Sequence, residues 1–347
     1  MSRAGIITFL HNENYGSALQ AYALQRAIRE TGVDCEHLDY QPDRTEKTLN
    51  LLRSGNSPKL ILEGMRKRSV RSEQQGAREK SAAIPAFYEK RMKLSRKCRN
   101  MRELREACAG METLVCGSDQ IWNPVWLNPA YFLTFAPAGV RKIAYAPSLG
   151  IRTMPAESKV RKIRKWTEGF SAVSVREEEG AALLEKITGR KPDVMPDPVC
   201  LLSRGEWEEI AAPSPAGGPY VLCYFIGENP AYRERVRRTG REAGLRILEI
   251  PVTNEGYHSG FELLEGLGPE EFLGAVRGAA CFCTDSFHGL VFGTLFGVRT
   301  EPFRRYREDD PESKNSRVDH FLRLIREQGP EEIRTAGRNW LEEKLPD

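Results

Sequence analysis

His288 sits in the run Thr284-Asp285-Ser286-Phe287-His288-Gly289, where the residue types suit proton transfer beside an anion. Thr284, Asp285 and Ser286 are three candidate N-caps ahead of a helical apolar stripe formed by Phe287, Leu290, Val291, Thr294, Leu295 and Val298. His288 lies off that stripe in the first turn, where backbone N–H groups point outward unpaired and the helix dipole is positive. An imidazole there can move a proton near neutral pH next to a bound anion. A lone histidine can equally cap or pack; the flanking Asp285, Ser286 and Gly289 favour function. Two other places collect chemistry. The loop Gly117-Ser118-Asp119-Gln120-Ile121-Trp122-Asn123-Pro124 brings together a carboxylate, amides, a hydroxyl and an indole, a set that can hydrogen-bond and stack a sugar or simply form a turn on a half-buried tryptophan. Arg176, ahead of Glu177-Glu178-Glu179-Gly180, can grip a phosphate or carboxylate through two parallel hydrogen bonds, or pair with those glutamates.

These residues need strands and helix starts to hold them. Residues 279–283 form an apolar run suited to a doubly buried parallel strand that delivers the His288 helix. Gly5 to Leu10, a polar turn, a helix from Ser17 to Glu30 and Cys35 to Tyr40 read as β, α, β. In that turn Gly16 allows another molecule to approach the backbone, or serves helix packing. Strands are expected at 112–116, 142–149, 171–175 and 193–199, with helices at 155–167 and after Arg176. The stretch 43–110 reads as helices and loops outside the sheet, broken at Gly55-Asn56-Ser57-Pro58. The clearest linker is 213–219, PSPAGGP. A second βα series follows, with strands at 220–226, 246–252 and 298–303, helices at 230–243, 269–276 and 318–327, and a last helix around Trp340. The expected architecture is α/β: two Rossmann-like parallel-sheet domains, 1–212 and 213–347, facing a central cleft.

Composition sets the class. The chain has 347 residues, 40% hydrophobic, enough for two cores of ordinary size. Its net charge of +4 hides an asymmetry, since Arg66 to Arg105 holds fourteen basic and four acidic residues, a local +10 that leaves −6 elsewhere. Such a segment suits an anionic membrane surface or phosphorylated partner, or a solvated helical face. The eight cysteines form no C-x-x-C pair, so neither a metal site nor a disulfide framework is expected. The absence of a signal-peptide pattern and of a long apolar run points to the cytoplasm, with peripheral membrane contact open.

Six motifs occur in one order: Asn14-Tyr15-Gly16-Ser17-Ala18-Leu19-Gln20-Ala21, Gly117 to Pro124, Ser174-Val175-Arg176-Glu177, Asp197-Pro198, Thr284 to Gly289, and Asn315-Ser316-Arg317. This series resembles that of the polysaccharide pyruvyl transferase family and runs from Gly5 to about Arg326. The resemblance implies a fold similar to two-domain glycosyltransferases of the B type and transfer of a pyruvyl group from phosphoenolpyruvate to two sugar hydroxyls, without metal or redox cofactor. It makes His288 the acid and Asp119, or else Glu13, the base. Arg176, Ser286 and Asp285 would bind the donor, and Asn14, Gly16, Gln120, Trp122 and Asn123 the saccharide, free or lipid-linked. Some family members carry an arginine two residues before the histidine, where this chain has Ser286. Either Arg176, Arg304 or Arg317 supplies that charge, or the donor or acceptor differs. A sugar-nucleotide glycosyltransferase and a non-catalytic sugar- or phosphate-binding protein are the rival readings of the same fold.

Overall fold

Short apolar runs build the strands. The computed structural model describes residues 2–55, 75–305 and 315–345, the side chains of 75–77, 230 and 315–317 excepted. β1 (Arg3–Ile7), β2 (Asp34–His37), β3 (Thr113–Cys116), β4 (Arg141–Ala144), β5 (Ala172–Val175) and β6 (Asp193–Val194) pair in parallel in the order β2-β1-β3-β4-β5-β6. β7 (Tyr220–Tyr224), β8 (Arg246–Glu249), β9 (Glu262–Leu263), β10 (Cys281–Thr284) and β11 (Arg299–Pro302) form a second parallel sheet, β11-β10-β7-β8-β9. β3, β7 and β10 are buried along their whole length, as strands covered on both faces must be. The winding direction reverses between β1 and β3 in one sheet and between β7 and β10 in the other. Loops leaving the carboxyl ends there diverge and open a crevice. The Asn14, Asp119 and His288 stretches all emerge at these two points.

The halves are packed together as well as linked. Tyr15, at the start of the helix Tyr15–Glu30, stacks on Phe272 at 4.6 Å and donates its hydroxyl to the Leu267 carbonyl at 2.8 Å. One apolar cluster runs from Leu10 and Leu19 across to Leu222, Phe272 and Phe292.

The structure corrects the sequence-based organisation in three places. The chain from 315 to 344 is helical on both sides of Gly329, whose φ of 76° breaks it ahead of Pro330. After that break Trp340, Leu341 and Leu345 pack among Ala4, Ile6 and Leu24, and the Trp340 indole donates to Asp193 at 2.7 Å. The tail thus returns to the first sheet instead of remaining in the second domain. The stretch 253–268, between an expected strand and an expected helix, contains β9, two residues long and without a legible alternation. Part of the basic stretch is also integral to the fold. Residues 93–98 run along the open edge of β2, through His37 N to Lys93 O at 2.9 Å and Cys98 N to Asp39 O at 2.8 Å, and protect that edge.

The helix Gln75–Arg91 straps the two halves. Its Tyr88 hydroxyl donates to Leu10 O at 2.7 Å, while Lys90 and Arg91 reach Glu270 of the second half at 2.7 and 2.6 Å. These charges are therefore engaged within the protein; the residues from Arg66 to Arg71 lie outside the described residues. Glu270→Gln should lower stability by about 1 kcal/mol or less, an effect that fades in high salt because the pair is partly exposed. Denaturant midpoints at low and high salt measure this, and an unchanged low-salt midpoint would mean that the strap holds by its apolar face alone. Among the described residues no helix is long and apolar enough to cross a membrane.

Candidate functional site

β10 ends at Thr284, whose hydroxyl donates to Tyr224 O at 2.7 Å and accepts from Ser286 N at 3.0 Å, folding the chain sharply into the helix Phe287–Leu295. Ser286 is its N-cap, accepting from Gly289 N at 3.2 Å. Its hydroxyl oxygen thus has a structural task. Asp285 departs further from the expected donor-binding role. Its buried carboxylate accepts from Ile226 N at 2.7 Å, Gly227 N at 2.8 Å and Arg305 Nε at 3.2 Å, tying the loop after β7 to the loop after β10. A carboxylate so filled clamps two loops and offers nothing to an anion.

His288 faces the first half of the chain, 7% exposed. Its Nε2 lies 3.3 Å from Asp197 Oδ2, close enough for an ion pair but off the line of a hydrogen bond. Asp197 follows β6 and uses Oδ1 to cap the turn Pro198–Leu201 through Val199 N at 3.1 Å, which aims Oδ2 across the crevice. Arg176, leaving β5, bonds the same oxygen through Nη1 and lies over the Phe287 ring at 4.7 Å. Burial would raise the Asp197 carboxyl, but the charges of His288 and Arg176 outweigh it and hold the group below the usual carboxylate range. For Arg176, burial opposes the charge, and Asp197, Glu177 and Asp119 together hold the guanidinium protonated.

The other wall comes from the loops after β1 and β3. Asp119, at φ 65°, accepts from Gln120 N at 2.8 Å and from the Ser17 hydroxyl at 2.5 Å, and Ser17 accepts from Asn12 Nδ2 at 2.9 Å. Gly117 is required nearby: its φ is 137°, and a Cβ there would strike the Tyr145 carbonyl oxygen. Glu177 takes the Ser148 hydroxyl at 2.7 Å on one oxygen and leaves the other buried and unbonded.

The expected site residues therefore divide. His288, Arg176 and Asp119 belong to one group, with Gly16 touching it: a Cβ on Gly16 would fall onto the imidazole of His288. The glycine serves close approach of the two halves. Gly16→Ala should force them apart and lower kcat at least tenfold; an unchanged kcat would show that the ring can yield. Asn14 uses its side-chain oxygen to cap the first helix through Gly16 N at 2.8 Å. Asn123 is buried and bonded to Gln120 at 3.2 Å. Trp122 is a correction. Its ring is 0% exposed, stacks on Phe132 at 4.9 Å and donates to Tyr131 O at 2.9 Å, so it is core and no platform for a sugar. The exposed indole of the loop is Trp126, which donates to Gln120 O at 3.1 Å. Arg304 pairs with Asp319 at 2.9 Å, and the Arg317 side chain lies outside the described residues. The sequence names Asp197 and Glu177 only within motifs and gives them no role in the site. Their signals, a carboxylate before proline at a strand end and one beside Arg176, are local and common.

The fold is similar to that of the UDP-GlcNAc 2-epimerase from Neisseria meningitidis bound to UDP-GlcNAc, at TM-score 0.53 and 9% identity over 99% of each chain. A putative UDP-N-acetylglucosamine 2-epimerase from Listeria monocytogenes aligns at TM-score 0.49 and 11% identity over 96% of this chain and 90% of that one. MurG from Acinetobacter baumannii aligns at 0.43 and 8% over 99% and 92%. At 9% identity the likeness to the Neisseria enzyme shows the two-domain parallel-sheet α/β fold and no activity. No curated protein matches the sequence. The family model for polysaccharide pyruvyl transferase matches residues 14–303, from the capped first helix to the end of the His288 domain's last strand, and the chain belongs to that family of transferases.

Proposed function

We propose that the protein moves a pyruvyl group from phosphoenolpyruvate to two hydroxyls of a saccharide, leaving a pyruvate ketal and inorganic phosphate. One observation carries the reading. Arg176 has a buried guanidinium whose Nε and Nη2 lack hydrogen-bond partners, beside a His288 Nε2 that also lacks one. Buried guanidinium N–H groups without a hydrogen-bond acceptor are costly, and a compact polyanion with carboxylate and phosphate oxygens is a ligand that satisfies them. With Ser286 where some relatives carry arginine, Arg176 is the guanidinium that supplies the charge.

The chemistry follows from charge. His288 gives a proton to the donor methylene carbon, which becomes a methyl group, and the neighbouring carbon turns electrophilic. A sugar hydroxyl adds there and loses its proton to Asp119, which Ser17 orients. A second hydroxyl displaces phosphate, whose bridging oxygen takes up that hydroxyl's proton, and the ketal closes. Asp197 holds His288 and Arg176 in place and remains ionised throughout.

The test is donor consumption: the protein is incubated with phosphoenolpyruvate or with sugar nucleotides, each with mixed saccharides, and phosphate release is followed. Phosphoenolpyruvate should be consumed only when saccharide is present. Arg176→Lys, which keeps the charge but loses the fork, should raise the KM for phosphoenolpyruvate about tenfold or more with a smaller change in kcat. Consumption of a sugar nucleotide with phosphoenolpyruvate untouched would overturn the reading in favour of glycosyl transfer.

A further inference from the structure

A second cavity, of about 530 Å³, opens at the carboxyl ends of β1 and β2. It is separate from the His288 group yet joined to it. Asn12 lines it and also donates to Ser17, the residue that bonds Asp119. The Asn12 side-chain oxygen is buried without a hydrogen-bond partner. Half-buried Phe9 and Tyr131, in edge contact at 5.0 Å, supply aromatic surface. Exposed Lys47, Lys97 and Arg99 ring the opening; among the described residues their side chains make no ion pair within 4 Å, although the charge of Lys97 acts on Asp39 from further off. The carboxylates nearby are already engaged: Asp43 caps its own helix through Glu46 N at 2.8 Å, and Asp39 holds His11 at 2.5 Å.

Aromatic surface with an unfilled acceptor oxygen suits a sugar ring and its hydroxyls, whereas three exposed cations around one opening suit phosphoryl oxygens. We infer that this cleft binds the acceptor saccharide by a phosphate or diphosphate group that it carries, with Lys47, Lys97 and Arg99 meeting the charge and Asn12 directing the sugar toward Asp119. The inference deepens the pyruvyl-transfer reading and rests on it for the direction of entry. The two fail separately, because the cleft and the donor pocket use different cations.

The experiment titrates the full chain with inorganic pyrophosphate, and with hexose 1-phosphates against their methyl glycosides, with and without saturating phosphoenolpyruvate. Pyrophosphate should bind alongside phosphoenolpyruvate, the phosphorylated sugars should bind at least tenfold tighter than the neutral ones, and both effects should fall with salt. Lys97→Glu with Arg99→Glu, both exposed positions, should weaken pyrophosphate at least tenfold and leave phosphoenolpyruvate affinity as it was. Displacement of pyrophosphate by phosphoenolpyruvate, or indifference to the double substitution, would overturn the cleft while sparing the donor reading. So would loss of binding to phosphatidylglycerol vesicles in that variant with pyrophosphate affinity unchanged, since the cations would then serve a membrane surface. Failure of phosphoenolpyruvate to bind anywhere, with pyrophosphate still held by the cleft, would sink the donor reading instead.

Discussion

His288→Asn is expected to lower turnover by about two to four orders of magnitude while phosphoenolpyruvate still binds. The range is that of general acid catalysis by a positioned side chain. Asparagine keeps a polar group near Asp197 but has no proton to deliver to carbon, whereas Arg176, the donor's anchor, remains. The imidazole is packed between Gly16 and Asp197, so a smaller side chain leaves the halves free to settle without strain. Turnover and donor affinity must be read separately, by phosphate release and by equilibrium titration. Turnover within tenfold of the parent would remove His288 from the proton transfer and return it to a packing role. Loss of donor affinity in parallel with turnover would make it part of the anion grip instead.

The second large effect is on stability. Asp197→Asn should cost about 3–5 kcal/mol, the range for breaking a buried pair by removing one partner. Asp197 has no exposed side-chain surface and faces the Arg176 guanidinium of its own half and the His288 imidazole of the other. An amide leaves the buried Arg176 charge with only the more distant Glu177 and Asp119 to offset it. The sign with pH is fixed by the direction of the Asp197 shift. Its carboxyl is held low in the fold, so its contribution is complete above the unfolded value of about 3.9 and is lost as pH falls through the folded value. Wild-type stability should therefore lose this contribution only below about pH 4, and the asparagine variant should show a shallower acid limb. Equal denaturant midpoints for the two proteins at pH 7 would mean that the ion pair is neutral to stability.

The wrong expectations share a cause. Trp122 and Asp285 have side chains that suit sugar and ion contacts, and both stand in loops that follow strands. Yet the loop after β3 turns the Trp122 ring onto Phe132, and the loop after β7 brings two N–H groups to Asp285, before any ligand is met. Arg304 and Arg305 are adjacent and chemically identical, but a strand end sends one to Asp319 and the other to Asp285.

What the sequence by itself determined was local and periodic. Apolar runs at β3, β7 and β10 make buried parallel strands because strands covered on both faces need them, the cap at Ser286 starts the His288 helix, and motif order identified the family. What only the tertiary structure decided was partnership across the crevice. Asp197 and His288 are 91 positions apart, and Gly16 meets His288 because two sheets present their carboxyl ends to each other. The return of Trp340 to the first sheet was decided the same way. A helix shows in its own pattern that it has an apolar face, but which sheet covers that face depends on where the kink at Gly329 sends the chain.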